Sequence, residues 1–315
     1  MTIIEIAEKL KKLNSVLIFC HTRPDGDTLG GAFALKKTFN KLGKIAEVTC
    51  DAVIPEKFSF MGFSKVREDE LKRPYDAFVA VDCSTEGMLG ESYKLFASKT
   101  ETYNIDHHVS NTRYAKYNYV EDRSACSEIV YELITAMGTL IEKETANCLF
   151  LGISTDTGHF MHSNVTANTF EIASKLVSLG ADSHEIGVKM FKNQSRARAE
   201  LQSYVMSGMK FYEGDKIALI KIMKSDLEKF GATSDLTEGF IDYPLSVSGV
   251  EVAISILESN NNAYKISLRS KGKVNVNEVA ATFGGGGHIL ASGCMIFGFY
   301  EDVKDKIVRA VSLAL

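Results

Sequence analysis

"SVLIFCHTRPDGDTLGGAFALKKTFNKLG", residues 15–43, decides how the chain is to be folded. An apolar run is followed by a polar stretch and then by a helical pattern that stops on Gly43. A short apolar run bounded by turn residues reads as a buried strand. A glycine just past a periodic segment reads as a helix stop. The stretch is therefore strand, loop, helix, and its loop "HTRPDGD" (21–27) sets His21, Asp25 and Asp27 at the carboxyl end of the strand.

The same unit recurs downstream. "KIAEVTC" (44–50), "DAFVAVD" (76–82), "ETYNID" (101–106) and "NCLFLGIS" (147–154) read as further strands. "SACSEIVYELITAMG" reads as a helix N-capped by Ser124 and stopped at Gly138, and "TANTFEIASKLVSLG" as one ending at Gly180. This alternation predicts an α/β fold, a parallel sheet with helices on both faces. Past Gly180, "ADSHEIGVKMFKNQSRARAELQSYVMSGMK" reads as one or two connecting helices with a basic node at Arg196 and Arg198. Strands follow at 216–222, 250–259, 262–270 and 291–298, the middle two forming a hairpin joined by "NN". Helices are expected near 225–231, 234–244, 275–283 and 300–314. A chain of 315 residues accommodates two domains. The expected division is a catalytic domain at 1–185, a helical connector at 186–210 and a smaller mixed-sheet α/β domain at 211–315.

Composition narrows the function. The net charge of −4 lacks the basic excess that a grip on long nucleic acid needs, so any nucleic-acid substrate is expected to be short. The six cysteines (20, 50, 83, 126, 148 and 294) form no CxxC pair and read as reduced thiols of a cytoplasmic protein. "MTIIEIAEKLKKL" is an amphipathic helix without the apolar core of a signal peptide, and no run of about 18 apolar residues predicts a membrane span.

Ligands of an open parallel sheet bind beyond the carboxyl ends of its strands. Four such ends carry the same chemistry: His21, Asp25 and Asp27 after the first, Asp82, then Asp106 with His107 and His108, and Asp156 in "GISTDTG". Asp51, after the second strand, reads better as a turn aspartate. So many acids and imidazoles on one rim repel unless cations sit among them. Mixed His and Asp donors suit Mn²⁺ or Mg²⁺, with Co²⁺ a further option. Six or so donors exceed the need of one ion with open positions. Two ions are expected, about 3.5–4 Å apart, which is the arrangement of a phosphoryl-transfer site.

"FGGGGHILASG" (283–293) is the second signal. Consecutive glycines weaken regular structure and permit close backbone approach, with N–H groups free to cradle an anion. His288 adds a donor, and the preceding "SLRSKGK" supplies Arg269 and Ser270, an arginine being able to hold phosphate bidentately. His159 and His162 in "DTGHFMHSN" read as polar loop residues beside Asp156, and Phe160 and Met161 as packing residues. Arg113 lies close enough to the "DHH" run to reach a phosphate.

"HTRPDGD", "AVDCS", "IDHHVSN" and "GISTDTG", in that order and followed by "GGGGH" and "ASG", closely resemble the DHH phosphoesterase family with its C-terminal DHH-associated domain. The resemblance covers nearly the whole chain and is nearest to the NrnA-type nanoRNase and pAp-phosphatase branch. It implies a hydrolase that degrades two- to five-nucleotide RNAs to mononucleotides and converts 3′-phosphoadenosine 5′-phosphate (pAp) to AMP. The agent would be a water activated by two Mn²⁺ in a cleft between the domains. It implies His21 and Asp25 on one Mn²⁺, Asp27, His107 and Asp156 on the other, and Asp82 bridging both. His108 would face the scissile phosphate, with Asp106 orienting the site behind it. Arg269, Ser270, Gly285, Gly286, Gly287 and His288 would bind the far phosphate or ribose. A homodimer through the first domain is implied as well. A hydrolase of cyclic di-AMP or linear pApA is the alternative within the family. An inorganic pyrophosphatase, whose second domain carries a basic motif where "GGGGH" stands here, and a nucleotide-binding sensor are less favoured.

Overall fold

The computed structural model describes residues 1–71, 74–260 and 262–315. The chain divides into two compact units, Met1–Asn193 and Gln194–Leu315.

The first unit is built on five parallel strands: β1 (Ser15–Phe19), β2 (Ile45–Thr49), β3 (Ala77–Val81), β4 (Thr102–Asp106) and β5 (Tyr117–Val120), in spatial order β2-β1-β3-β4-β5. Its helices are α1 (Ile3–Lys12), α2 (Gly26–Lys41), α3 (Ser92–Ala97), α4 (Cys126–Ala136), α5 (Lys143–Asp156), α6 (Ala167–Ser178) and α7 (Ser183–Phe191). Every residue of β1, β3 and β4 is buried, as expected of parallel strands covered on both faces. Alternation divides them between two cores. Val16 and Ile18 pack with Leu29, Ile129 and Leu149, whereas Leu17 and Phe19 pack with Phe78, Leu89 and Phe96.

The first unit departs from two sequence expectations. "NCLFLGIS" is no strand. It is the middle of α5, so Asp156 comes from a helix C-terminus and only three strand ends feed the rim. Residues 148–154 of α5 are all buried, and a helix wrapped in protein on every side shows no amphipathic stripe. The fifth strand is β5 instead, a short half-buried edge that lacks strong apolar alternation. The second correction concerns Ser124. The N-cap of α4 is Ala125, which provides no side-chain cap, and the first N–H groups of the helix are satisfied from elsewhere. The Ser124 hydroxyl donates to the Asn164 carbonyl (2.6 Å).

The second unit holds α8 (Arg196–Ser207), α9 (Lys224–Lys229), α10 (Asp242–Ser246), α11 (Val276–Ala281) and α12 (Tyr300–Ser312) around a mixed sheet. The sheet consists of β6 (Lys210–Tyr212), β7 (Ile217–Ile222), β8 (Val252–Asn260), β9 (Ala263–Ser270), β10 (Gly286–His288) and β11 (Ala291–Phe297), in order β10-β11-β9-β8-β7-β6. The expected hairpin is β8–β9, and Asn261 of its "NN" turn lies outside the described residues. One sheet face packs against Val303, Ile307 and Val311 of α12, and Ile220 and Ile222 on the other pack against Leu201 and Val205 of α8. The helix expected at 234–244 is broken at Gly239 (φ +78°) into a 3₁₀ turn, Ser234–Thr237, and α10. Arg198 holds that break. Its guanidinium donates to the carbonyls of Leu236 and Glu238 and lies 4.9 Å from the Phe240 ring.

Candidate metal centre

The first unit carries six of the predicted residues, His21, Asp25, Asp82, His107, His108 and Asp156, to one cavity rim, with Asp27 buried beside His107 and Asp156, and local backbone chemistry sets them. Asp25 is the N-cap of α2, its Oδ1 accepting from the N–H groups of Asp27 and Thr28 (3.0 and 3.1 Å). Asp27 lies buried in the first turn of α2. Its carboxylate accepts from the N–H groups of Cys126 (2.6 Å) and Ser127 (2.8 Å), which is how the start of α4 is satisfied. The contact requires Gly152 in α5, since a Cβ there would meet Ser127 Oγ at 1.9 Å and Asp27 Oδ1 at 2.7 Å.

Asp82 leaves β3 with φ +60°, a conformation that costs a non-glycine residue energy and is kept where function needs it. Its Oδ1 is buried and accepts no hydrogen bond among the described residues. His107 Nδ1 contacts the Arg123 carbonyl (3.0 Å), so in the neutral ring that nitrogen bears the proton and Nε2 offers a lone pair. Nε2 lies 3.4 Å from Asp82 Oδ1 and 3.7 Å from Asp156 Oδ2. His21 Nε2 lies 3.6 Å from both Asp25 Oδ1 and Asp82 Oδ2. His108 turns the other way. Its Nδ1 contacts Asp106 Oδ1 (2.8 Å), and the opposite oxygen of Asp106 accepts from Asn111 Nδ2 (2.6 Å). Asp106 itself is fully buried. The three neighbours of "DHH" therefore take separate jobs: Asp106 inside, His107 among the carboxylates, His108 at the edge.

Electrostatics mark the cluster as built for cations. Burial, then the charges of Asp27 and Asp25, push the Asp82 carboxyl well above the usual carboxylate range. Burial and Asp27 raise Asp156 to about 7. Burial disfavours charged His107, but the surrounding Asp27 and Asp82 more than offset it and raise its pKa. The hydrogen bond to Asp106 raises that of His108. Donor atoms of His21, Asp25 and Asp82 lie within 4.8 Å of one another, as do those of Asp27, His107 and Asp156, and those of Asp82, His107 and His108. Mixed nitrogen and oxygen donors, an unpartnered buried carboxylate oxygen and mutual repulsion all fit divalent metal.

The adjoining cavity has a volume of about 400 Å³. Besides the expected residues it is lined by Thr22, Arg23, Thr85, Gly87 and Met88. Thr22 and Arg23 lie within "HTRPDGD", whereas Thr85, Gly87 and Met88 fall past the end of "AVDCS" and carry no signal of their own. Residues acting through backbone groups or from behind, namely Arg123, Asn111 and Asn164, carry no residue-type signal.

Asp51 Oδ2 accepts from the Glu91 N–H (3.0 Å), a turn role. His159 Nδ1 contacts Ser154 Oγ (3.0 Å) and His162 is exposed. Phe160 stacks on Phe170 at 5.6 Å, while Met161 is exposed and does not pack. Arg113 is exposed. In the second unit the glycine run is not a loop of free N–H groups. The N–H groups of Gly284 and Gly285 donate to the carbonyls of Ala281 and Ala280 (3.0 and 2.9 Å), closing α11, and Gly286 and Gly287 enter β10. Their lack of side chains serves strand contact, because a Cβ on Gly287 would sit 2.5 Å from the Ala291 carbonyl oxygen. His288 pairs with Ala291, and Ala291 with Arg269, so His288 and Arg269 share one sheet face. Ser270 is buried on the opposite face, its hydroxyl accepting the Gly272 N–H (3.0 Å).

The N-terminal domain model of the DHH family matches residues 15–153, and the DHHA1 domain model matches residues 214–315. The crystal structure of an exopolyphosphatase-related protein from Bacteroides fragilis superposes with a TM-score of 0.90 at 30% identity, over 98% of this chain and 95% of that one. The chain belongs to the DHH family. A DHH-family relative, the bifunctional oligoribonuclease and PAP phosphatase NrnA of Thermus thermophilus, is 28% identical over 97% of this chain and 92% of its own length. The crystal structure of exonuclease RecJ bound to manganese shares the DHH fold, with a TM-score of 0.57 at 13% identity over 99% of this chain and 94% of that one. Among the described residues no helix is long and apolar enough to cross a membrane.

Proposed function

We propose that this chain is a Mn²⁺-dependent phosphoesterase of the cytoplasm, working as a homodimer. It would hydrolyse short oligoribonucleotides to mononucleotides and pAp to AMP. The observation that carries the reading is the pair of donor triads, His21–Asp25–Asp82 and Asp27–His107–Asp156, joined where His107 Nε2 lies 3.4 Å from Asp82 Oδ1, with every member but the buried Asp27 lining one cavity. Support for the substrate class comes from the NrnA relative, whose name states those two activities.

His21 and Asp25 would hold one Mn²⁺, Asp27, His107 and Asp156 the second, and Asp82 both. When bound, the two cations supply an acidified water and neutralise charge on the phosphoryl group. The chain's own residues supply orientation. Asp106, pinned by Asn111, keeps the proton of His108 on Nδ1 or shares a fully protonated ring, and Nε2 is left for the substrate. His108 is the group we assign to hydrogen-bonding a non-bridging phosphoryl oxygen and to proton transfer. Arg269 and His288, with the Ser270–Gly272 turn and Gly285–Gly287 shaping the surface beside them, are assigned to the substrate's distal phosphate. Rates for pAp, linear pApA, RNA two- to five-mers, cyclic di-AMP and pyrophosphate, compared side by side with Mn²⁺, test the reading. Turnover of pAp and the short RNAs is expected; turnover of pyrophosphate alone overturns it.

A further inference from the structure

The second unit has a cavity of about 380 Å³ that neither the metal centre nor the Arg269–His288 face uses. It lies where the end of α8, β6, β7 and the first turn of α12 meet. β6 and β10 are the two opposite edges of the sheet. The face differs too. Leu219 and Lys221 line the cavity, and Leu219 belongs to the core under α12. Arg269 pairs with Ala253, and Ala253 with Ala218, which shares the other face with Ile220. The cavity is thus at the far edge of the sheet from Arg269 and His288, its strand residues on the opposite face and the end of α8 closing it from around that edge.

Its lining alternates cations and aromatic rings: Lys210 and Tyr212 from β6, Lys221 from β7, Tyr300 and Lys304 from α12, and Tyr204 from α8. The acids among them are already engaged. Asp226 Oδ2 accepts from the Met223 N–H (2.8 Å), and Glu301 pairs with Lys304. Lys210 and Lys221 are exposed, and among the described residues the Lys221 ammonium meets no carboxylate but stands 5.2 Å from the Tyr300 ring centroid. Free ammonium groups beside tyrosine faces in a concave site match a ligand that joins a phosphate to a flat ring. We propose that this cavity is a second ligand site, taking a nucleoside monophosphate with its phosphate on Lys210 and Lys221 and its base against the tyrosines. The site is read from this unit alone; the choice of a monophosphate rests on the proposed reaction, which releases that class.

The test is AMP binding to the full chain, measured by isothermal titration calorimetry in an Arg269→Ala background that weakens the other face. One equivalent should bind. Adding Lys221→Glu should weaken it about tenfold or more, the loss expected of one charge-assisted contact. Tyr212→Leu, which leaves the lysines in place, should weaken AMP but not inorganic phosphate. Inorganic phosphate and adenosine should each bind about tenfold more weakly than AMP. The proposal falls if Arg269→Ala alone abolishes AMP binding, if Lys221→Glu leaves it unchanged, or if phosphate binds as well as AMP. Hydrolysis by the unmutated chain with Mn²⁺ is read separately, so the proposed activity and this site can fail independently.

Discussion

The first unit pins its reactive groups from the backbone, whereas the second displays its own on an open sheet face. Asp25 and Asp27 cap helices, Asp82 sits at φ +60°, and His107 is held by a backbone carbonyl. Arg269, by contrast, spends one guanidinium nitrogen on the Leu268 carbonyl (3.1 Å), and His288 is exposed. Rigid donors suit ions whose geometry must be preset, and adaptable groups suit a substrate that must come and go. If this contrast is functional, substitutions in the first unit should act on metal and turnover, and those in the second on substrate affinity.

The sharpest break of the contrast is Asp82→Asn. Asparagine tolerates positive φ, so the fold should persist. Turnover of pAp with Mn²⁺ should drop by about 10³-fold or more, roughly 4 kcal/mol of barrier. In EDTA the melting temperature should rise, because a repelled buried carboxylate is gone. Retention of a tenth of the activity would remove Asp82 from its shared position between the triads.

Metal addition separates the two units without mutation. Mn²⁺ at about a hundredfold excess over its Kd should stabilise the first unit by about 2.7 kcal/mol for each ion bound. Amide exchange should slow at 21–28, 82–88, 104–111 and 154–158 and stay unchanged in β9 and β11. The metal-free chain should also respond to pH. Asp156 titrates at about 7 when folded, raised from 3.8, so the folded state holds its proton more tightly than the unfolded one. Stability is then lost as pH rises from about 4 to about 7, and Mn²⁺ should reverse that loss. A metal-free melting temperature that climbs across this window would contradict the repulsion.

Arg269→Ala probes the open face. KM for a dinucleotide should rise about ten- to a hundredfold, the range of a charge-assisted phosphate contact, with kcat within a few-fold and Mn²⁺ activation unchanged. Lysine at this position should restore part of the affinity, since it keeps the charge and loses the fork. A loss confined to kcat would erase the division between the units.

The same contrast explains what the sequence made legible. The proposed metal donors are scarce residue types set after apolar segments, so His21, Asp25, Asp27, Asp82, His107 and Asp156 stand out even though Asp156 arrives on α5 rather than on a strand. A differently read element still brings Asp156 to the donor cluster, because it lies at or just past the end of either reading. Burial on all sides hides the period of α5, while β5 and β10 are too short, or too rich in glycine, to carry a strand pattern. The supporting shell is hidden for another reason. Arg123 acts through its carbonyl and Asp27 caps α4 across about a hundred residues of chain, and neither relation has a local signature.

Asn164 is the mildest test of that hidden shell. Its Nδ2 donates to the Ser124 carbonyl (3.0 Å) and the Asp156 carbonyl (3.3 Å), and its own backbone carbonyl accepts from Ser124 Oγ. Ser124 follows Arg123, whose carbonyl orients His107, so one exposed side chain ties together the backbones behind two members of the Asp27–His107–Asp156 triad. Asn164→Ala should raise the Mn²⁺ concentration for half-maximal activity by about tenfold, the low end for a residue that supports ligands indirectly. At saturating Mn²⁺, kcat should return to within about twofold of the unmutated chain, because no group that meets the substrate has changed. Asn164→Asp, which loses both donated bonds but keeps the side chain's size, should behave like alanine; a kcat defect that metal cannot rescue would mean Asn164 acts on the substrate and not on the donors.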